Sequence, residues 1–152
     1  MKKLTLLLGT VLLIGMSMLG AACSTQANAE VSNNWVWVEK YDQDFQANDN
    51  LVSSIDISQG DTLVIVLVSN PTTGFQWSEQ ADISDTNVLK QDNHEFSGPE
   101  SDPAPPVGAP GLESWRIQAL TPGTSTVYLE YSRPWDGGEK DARTFTLNVT
   151  VK

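Results

Sequence analysis

Residues 61–78 read DTLVIVLVSNPTTGFQWS. The first part is apolar and rich in β-branched residues, which predicts a well-buried strand over 61–68. Farther along, Phe75 and Trp77 alternate with polar residues, which is the period-2 pattern of a second strand. The six residues Asn70-Pro71-Thr72-Thr73-Gly74-Phe75 therefore connect two core strands.

This connection is expected to be a stiff turn. Pro71 fixes its own φ and restricts Asn70 to extended backbone. Gly74 can adopt a positive φ, and the asparagine side chain can bond to nearby backbone groups. The turn then presents two adjacent threonines, Thr72 and Thr73. These six residues alone leave open the alternative of an ordinary β-turn without a function.

Short alternating runs recur along the rest of the chain, and turn signals separate them. The predicted strands cover 35–38, 51–57, 61–68, 75–78, a weaker stretch near 88–96, 114–120, 124–132 and 143–151. We find no amphipathic helix of useful length. Many short strands at this spacing predict an all-β sandwich or barrel.

The N-terminal segment has the features of an export signal. Lys2 and Lys3 precede an apolar run over 4–19, and the small residues before Cys23 follow. This order predicts a signal peptide over 1–22, and its end resembles a bacterial lipobox, in which the cysteine is lipidated. Cleavage by an ordinary signal peptidase near Ala22 or Ala29 is the alternative.

Residues 23–34 are small and polar, so they predict a tether between the lipidated Cys23 and a domain over 35–152. Such a chain would be exported and lipid-anchored to a bacterial membrane, facing the periplasm or the extracellular side. It would contact the membrane through its N-terminal lipid only.

Composition limits the partners of the domain. Removing Lys2 and Lys3 from nine basic residues leaves seven against 19 acidic ones, a net charge near −12. An acidic surface argues against nucleic acid and against anionic lipid. Cys23 is the only cysteine, so packing alone must stabilise the domain. We expect one domain, a monomer, with no cofactor and no metal.

In an antiparallel sandwich, alternate connections emerge at the same end. This parity brings together the turn over 70–75, a long loop over 97–113 with five prolines, and the loop that opens with Arg133-Pro134-Trp135. A long loop in a compact domain is usually functional or disordered, and Arg and Trp are typical of binding hot spots. The convergence predicts a binding surface. The alternatives are that Arg133 pairs with Asp136 and that Trp135 folds over the edge of the core.

Three motifs carry a more specific resemblance. Asn70-Pro-Thr-Thr-Gly-Phe75, Gly108-Ala-Pro-Gly-Leu-Glu-Ser-Trp115 and Arg133-Pro-Trp-Asp136 resemble, in order, the signature motifs of the chagasin family. These proteins inhibit papain-like cysteine peptidases. The resemblance implies an immunoglobulin-like antiparallel β-sandwich of about seven to eight strands. Asp136 stands where many members carry Glu, and the Pro-rich stretch before Gly108 is longer than the motif requires.

The resemblance also implies which residues bind a peptidase. The threonines would cover the catalytic thiolate, Arg133 and Trp135 would contact one lobe, and the Gly108–Gly111 segment would contact the other. Trp115 would support its loop from below. The implied peptidase-binding residues are Asn70, Pro71, Thr72, Thr73, Gly74, Phe75, Gly108, Pro110, Gly111, Arg133, Pro134 and Trp135.

Three other functions compete with this hypothesis. His94 could serve a hydrolase, but the sequence has no nucleophile elbow. The acidic residues Asp42, Asp44, Asp49 and Asp92 faintly suggest calcium, but the glycine that such a loop needs is missing. The serious alternative is an immunoglobulin-like surface binding or adhesion module with a partner other than a peptidase, because fold does not imply function.

Overall fold

A computed structural model describes residues 33–99 and 106–152. The predicted signal peptide, Cys23 and most of the tether lie outside these residues. The described strands are, in chain order, β1 (Trp35–Lys40), β2 (Asn50–Ile57), β3 (Thr62–Ser69), β4 (Gln76–Trp77), β5 (Asp82–Ile83), β6 (Leu89–Ser97), β7 (Gly111–Ala119), β8 (Gly123–Ser132) and β9 (Arg143–Val151). A short helix, α1 (Asp42–Phe45), follows β1, and a 3₁₀ turn (Pro71–Thr73) follows β3. None of the described helices is long and apolar enough to cross a membrane.

The strands form two sheets, which confirms the predicted β-sandwich. One sheet has the order β1-β3-β7-β6, and the other has the order β2-β9-β8-β4, with β5 also paired to β8. Most neighbours are antiparallel, as predicted. One edge strand of each sheet differs, because β1 pairs with β3 in parallel and β2 pairs with β9 in parallel. The sandwich is therefore mixed, with nine strands in the part of the chain that is described.

The core lies between the two sheets and needs no covalent support. Leu63, Ile65 and Leu67 on β3 are fully buried. Alternating residues of β7 lie beside them in the same sheet, and alternating residues of β8 and β9 face them from the other sheet. Trp77 and Trp115 are also buried, and each indole N–H donates to a backbone carbonyl. Burying a large apolar side chain contributes about 1.5–3 kcal/mol, so packing accounts for stability without a disulfide.

The directions of the strands decide which connections share an end. Strand β3 runs toward the turn over 70–75, while β7 and β9 begin at that same end. Because β1 runs parallel to β3, and β2 begins beside the first residues of β9, the β1–β2 connection also lies there. We call this the loop end of the sandwich.

Candidate functional site

The turn over residues 70–75, here called the threonine turn, is rigid because its own groups satisfy one another. The backbone N–H of Thr73 donates to the carbonyl of Asn70 at 3.1 Å, and that of Gly74 donates to Pro71 at 2.9 Å. The hydroxyl of Thr73 donates to the same Asn70 carbonyl at 2.7 Å, and that of Thr72 donates to the Asn70 side-chain oxygen at 2.5 Å. Gly74 ends the turn at φ 83°, a conformation that glycine adopts without strain.

The threonine turn is also held from behind. The backbone N–H of Asn70 donates to the Tyr131 hydroxyl at 2.9 Å. The Phe75 ring stacks on Tyr131 with 5.6 Å between ring centroids and is packed partly into the core. Pro71, Thr72 and Thr73 themselves are exposed. The turn thus presents two threonines to solvent, and its contacts with Tyr131 keep its backbone from adopting an extended conformation.

The second element is the tryptophan loop, residues 133–142. The Arg133 guanidinium lies 4.4 Å from the Phe75 ring centroid and donates to the Thr73 carbonyl at 3.4 Å. The alternative pairing with Asp136 is absent among the ion pairs of the described residues. Trp135 is 51% exposed, and Pro134 is exposed beside it. Trp135 therefore does not fold into the core edge but stands beside the threonine turn.

The third element is the middle loop, residues 98–110, of which 100–105 lie outside the described residues. Its carbonyl at Gly108 accepts a hydrogen bond of 2.8 Å from the Asn70 side-chain amide, which joins it to the threonine turn. Gly108 and Pro110 are exposed, but Gly111 is buried at the start of β7. A Cβ at position 111 would lie 2.4 Å from the Ser97 carbonyl oxygen. Gly111 thus permits close strand packing and offers no contact surface itself.

A groove lies beside the threonine turn, between it and the residues Asp42 and Arg143. Its cavity is about 390 Å³ and is lined by Val68, Ser69, Asn70, Thr73, Phe75, Pro110, Tyr131 and Arg143, among others. The Ser69 hydroxyl is buried without a hydrogen-bond partner among the described residues. The loop end is therefore concave beside the threonines, which suits a protruding group of a partner.

The connection between β1 and β2 also lies at the loop end. Sequence analysis did not place it there. Residues 41–49 contain α1, and Asp42 pairs with Arg143 at 2.9 Å. Asp44 accepts a hydrogen bond from the Tyr41 backbone N–H at 2.8 Å. A hydrogen bond to Glu39 raises the pKa of Tyr41 above its usual value of 10.0, helped by partial desolvation. The acidic residues of this segment thus serve local structure, and the described chain has no cluster of three His, Cys, Asp or Glu residues that could hold a metal ion.

Glu113 connects the strands beneath the loops. Its side chain is 4% exposed, accepts a hydrogen bond from the Trp77 backbone N–H at 3.1 Å, and is hydrogen-bonded to His94 Nε2 at 2.8 Å. The His94 ring packs against Trp115 with 5.0 Å between centroids. His94 is therefore part of a buried polar brace. Trp115 is fully buried in β7, below the middle loop.

The contact between Gly74 and Trp135 gives a prediction with a matched control. A Cβ at position 74 would lie 2.6 Å from Cη2 of Trp135, in a backbone already at φ 83°. Since Trp135 is exposed, it would move aside, so Gly74→Ala should weaken partner binding about tenfold and cost about 1 kcal/mol of stability. The control is Gly137→Ala, at a similar positive φ of 74°, where an added Cβ would meet nothing within 4 Å. It should lose similar stability and keep binding; equal binding losses would contradict the role of this contact.

Comparisons with known proteins identify one family. Residues 56–149 match the model of chagasin family peptidase inhibitor I42. Amoebiasin-2 of Entamoeba histolytica is 34% identical over 100 residues, covering 66% of this chain and 78% of that protein. Chagasin of Trypanosoma cruzi is 31% identical over 99 residues, covering 62% and 86%.

A solved structure shows the same fold. The crystal structure of the cysteine protease inhibitor EhICP2 from Entamoeba histolytica matches with a TM-score of 0.56 and 24% identity, covering 78% of this chain and 96% of that one. The family model spans more than half of the chain. The chain therefore belongs to the chagasin family of peptidase inhibitors, a family of inhibitors and not of enzymes.

Proposed function

We propose that this protein is a reversible, non-covalent inhibitor of papain-like cysteine peptidases, which it blocks with the loop end of its sandwich. The observation that carries this proposal is the rigid threonine turn, joined to the middle loop through Asn70 and Gly108 and to the tryptophan loop through Arg133. Family membership supports the same class of target, because the relatives include a protein described as a cysteine protease inhibitor.

The mechanism follows from the chemistry of the target. A papain-like peptidase holds a reactive thiolate and a histidine in a groove. The threonine turn enters this groove and covers the thiolate with Thr72 and Thr73. Because internal hydrogen bonds already fix the turn, binding loses little conformational entropy. A turn that cannot extend like a substrate is also poorly aligned for cleavage.

The flanking loops supply the remaining contact area. Trp135 binds one lobe of the peptidase as the main apolar anchor, next to Pro134. Arg133 is held in place by the Phe75 ring and the Thr73 carbonyl. Exposed Gly108 and Pro110 contact the other lobe. An interface of ordinary inhibitor size, about 1,600 Å² in total, gives tight binding without covalent chemistry.

The location of the inhibitor is a second part of the proposal. The basic start, the apolar run over 4–19 and Cys23 support export and lipidation. The inhibitor then acts at a membrane surface, on peptidases that reach the periplasm or the outside of the cell.

Titration of peptidase activity tests the inhibitory function. Residues 24–152 are titrated against papain and a cathepsin L-type enzyme, with a serine peptidase as the control. We expect saturable inhibition of both cysteine enzymes and none of the serine enzyme. A folded domain that inhibits neither cysteine enzyme at micromolar concentration would overturn the proposal and favour an adhesion module that uses the same loops.

A further inference from the structure

Two exposed tryptophans lie on the first strand, away from the loop end. Trp35 and Trp37 are 56% and 57% exposed, and their rings stack with centroids 6.5 Å apart. Val36 and Val38 alternate with them and pack against the core. Both indoles therefore project from the outer face of the four-stranded sheet, at its open edge.

On the neighbouring strand, Val64 and Val66 are buried, so the exposed apolar surface is that of the two indoles. The register places Trp37 beside Val64 and Glu39 beside Val66. Both valines belong to the outer row of β3, opposite the core row. We call the exposed pair Trp35 and Trp37 the tryptophan face. No function described above uses it.

We propose that the tryptophan face docks on the lipid–water interface of the membrane that holds the N-terminal anchor. Tryptophan suits this interface because its ring is apolar and its N–H needs a polar partner. The inference rests on the proposed lipidation of Cys23. It adds a second membrane contact to the lipid, which sequence analysis expected to be the only one.

The length of the preceding chain supports a lipid partner. Trp35 follows Cys23 by twelve positions, and twelve residues span at most about 40 Å when fully extended. The anchor thus confines the tryptophan face to a thin layer above the bilayer, where a short linker gives effective concentrations on the order of millimolar. A weak interfacial affinity is then sufficient for docking.

A second copy of the chain fits this face less well. Two tryptophans at this exposure offer only about 280 Å² of surface, taking roughly 250 Å² for a whole side chain, against about 800 Å² per partner in a stable interface. The net charge near −12 after removal of Lys2 and Lys3 also makes copies repel one another. The same charge favours a zwitterionic lipid surface over an anionic one.

Docking in this orientation leaves the inhibitory loops free. Trp37 lies beside Val64, five residues before the end of β3 at Ser69, or about 17 Å along the strand. Trp135 follows β8 in the opposite sheet. A peptidase can therefore reach the threonine turn while the tryptophan face touches lipid.

Short-range quenching by brominated lipid tests the proposal. The full chain is purified from bacterial membranes and reconstituted into phosphatidylcholine vesicles with plain or brominated acyl chains. The chain has five tryptophans; Trp77 and Trp115 are in the core, so docking of two indoles should quench up to two fifths of the emission. Trp35→Thr with Trp37→Thr, which keeps β-branched residues in the strand, should abolish the quenching. Trp135→Thr, exposed to a similar extent at the loop end, should retain it.

Each other outcome overturns the inference. Quenching that is equal in the double variant and the wild type would place the contact elsewhere. If the chain does not float with the vesicles, it carries no lipid anchor, and the premise of the inference is wrong. Emission that changes with protein density and not with brominated lipid would indicate a second copy. Peptidase inhibition on the same vesicles separates the two proposals, because the double variant should inhibit as the wild type does.

Discussion

Trp135→Ala is expected to weaken inhibition of papain by at least about thirtyfold, equivalent to about 2 kcal/mol. Trp135 is the large apolar side chain that stands exposed beside the threonine turn. Truncation removes the apolar anchor while leaving the turn's own hydrogen bonds in place. Inhibition constants from progress curves at several inhibitor concentrations measure the effect, and the thermal unfolding midpoint should remain near that of the wild type.

Trp37→Ala is the matched control for this prediction. It removes the same type of side chain at a comparable exposure, 57% against 51%, but on the outer face of the first sheet. Without vesicles present, it should leave papain inhibition unchanged. If both variants lose inhibition equally, or if neither does, Trp135 is not the anchor of the interface.

Glu113→Ala is expected to lower the free energy of unfolding by about 3 kcal/mol, because removing one partner of a buried pair leaves the others unsatisfied. The Trp77 backbone N–H and His94 both lose their partner, and Trp77 is itself in the core. A loss of this size is a large fraction of the stability of one domain, which is about 5–15 kcal/mol. Urea titration followed by tryptophan fluorescence measures it.

Two further variants show whether the loss comes from the hydrogen bonds. Glu113→Gln keeps a side-chain oxygen for the Trp77 N–H and should recover part of the stability. Glu95→Ala removes a carboxylate from the adjacent strand β6 at an exposed position, and should change stability by less than about 0.5 kcal/mol. A Glu113→Ala domain as stable as Glu95→Ala would contradict the role of the buried brace.

Much of the fold could be predicted from the sequence because period-2 alternation marks most of the long strands and a continuous apolar run marks β3. The pairing of the edge strands could not be predicted in this way. Alternation in β1 identifies which residues face the core, but it is the same whether the neighbouring strand runs parallel or antiparallel. Strict reversal at each connection is consistent with this pairing and places residues 41–49, between β1 and β2, at the loop end. The sequence analysis applied the argument only to the later connections.

The parts of the candidate site that could be predicted are those whose residues are close together in the sequence. The proline, the two threonines and the glycine of the threonine turn specify its conformation within six positions. The brace between His94 and Glu113 depends on the register of β6 against β7, and a register shift between Gln91 and Asn93 interrupts the alternation there. Gly111 was expected among the peptidase-binding residues but is buried. The close approach of the Ser97 carbonyl, which the sequence does not reveal, explains why this position has no side chain.

The parallel pairing of β2 with β9 has a consequence for biosynthesis. Asn50 pairs with Thr144, so β2 leaves the ribosome 94 residues ahead of its partner. Because β9 lies between β2 and β8, the second sheet cannot assemble until nearly the whole domain has been translated. Such non-local pairing makes folding slow. Slow folding suits the export proposed above, because an unfolded chain passes through an export channel more readily than a folded one.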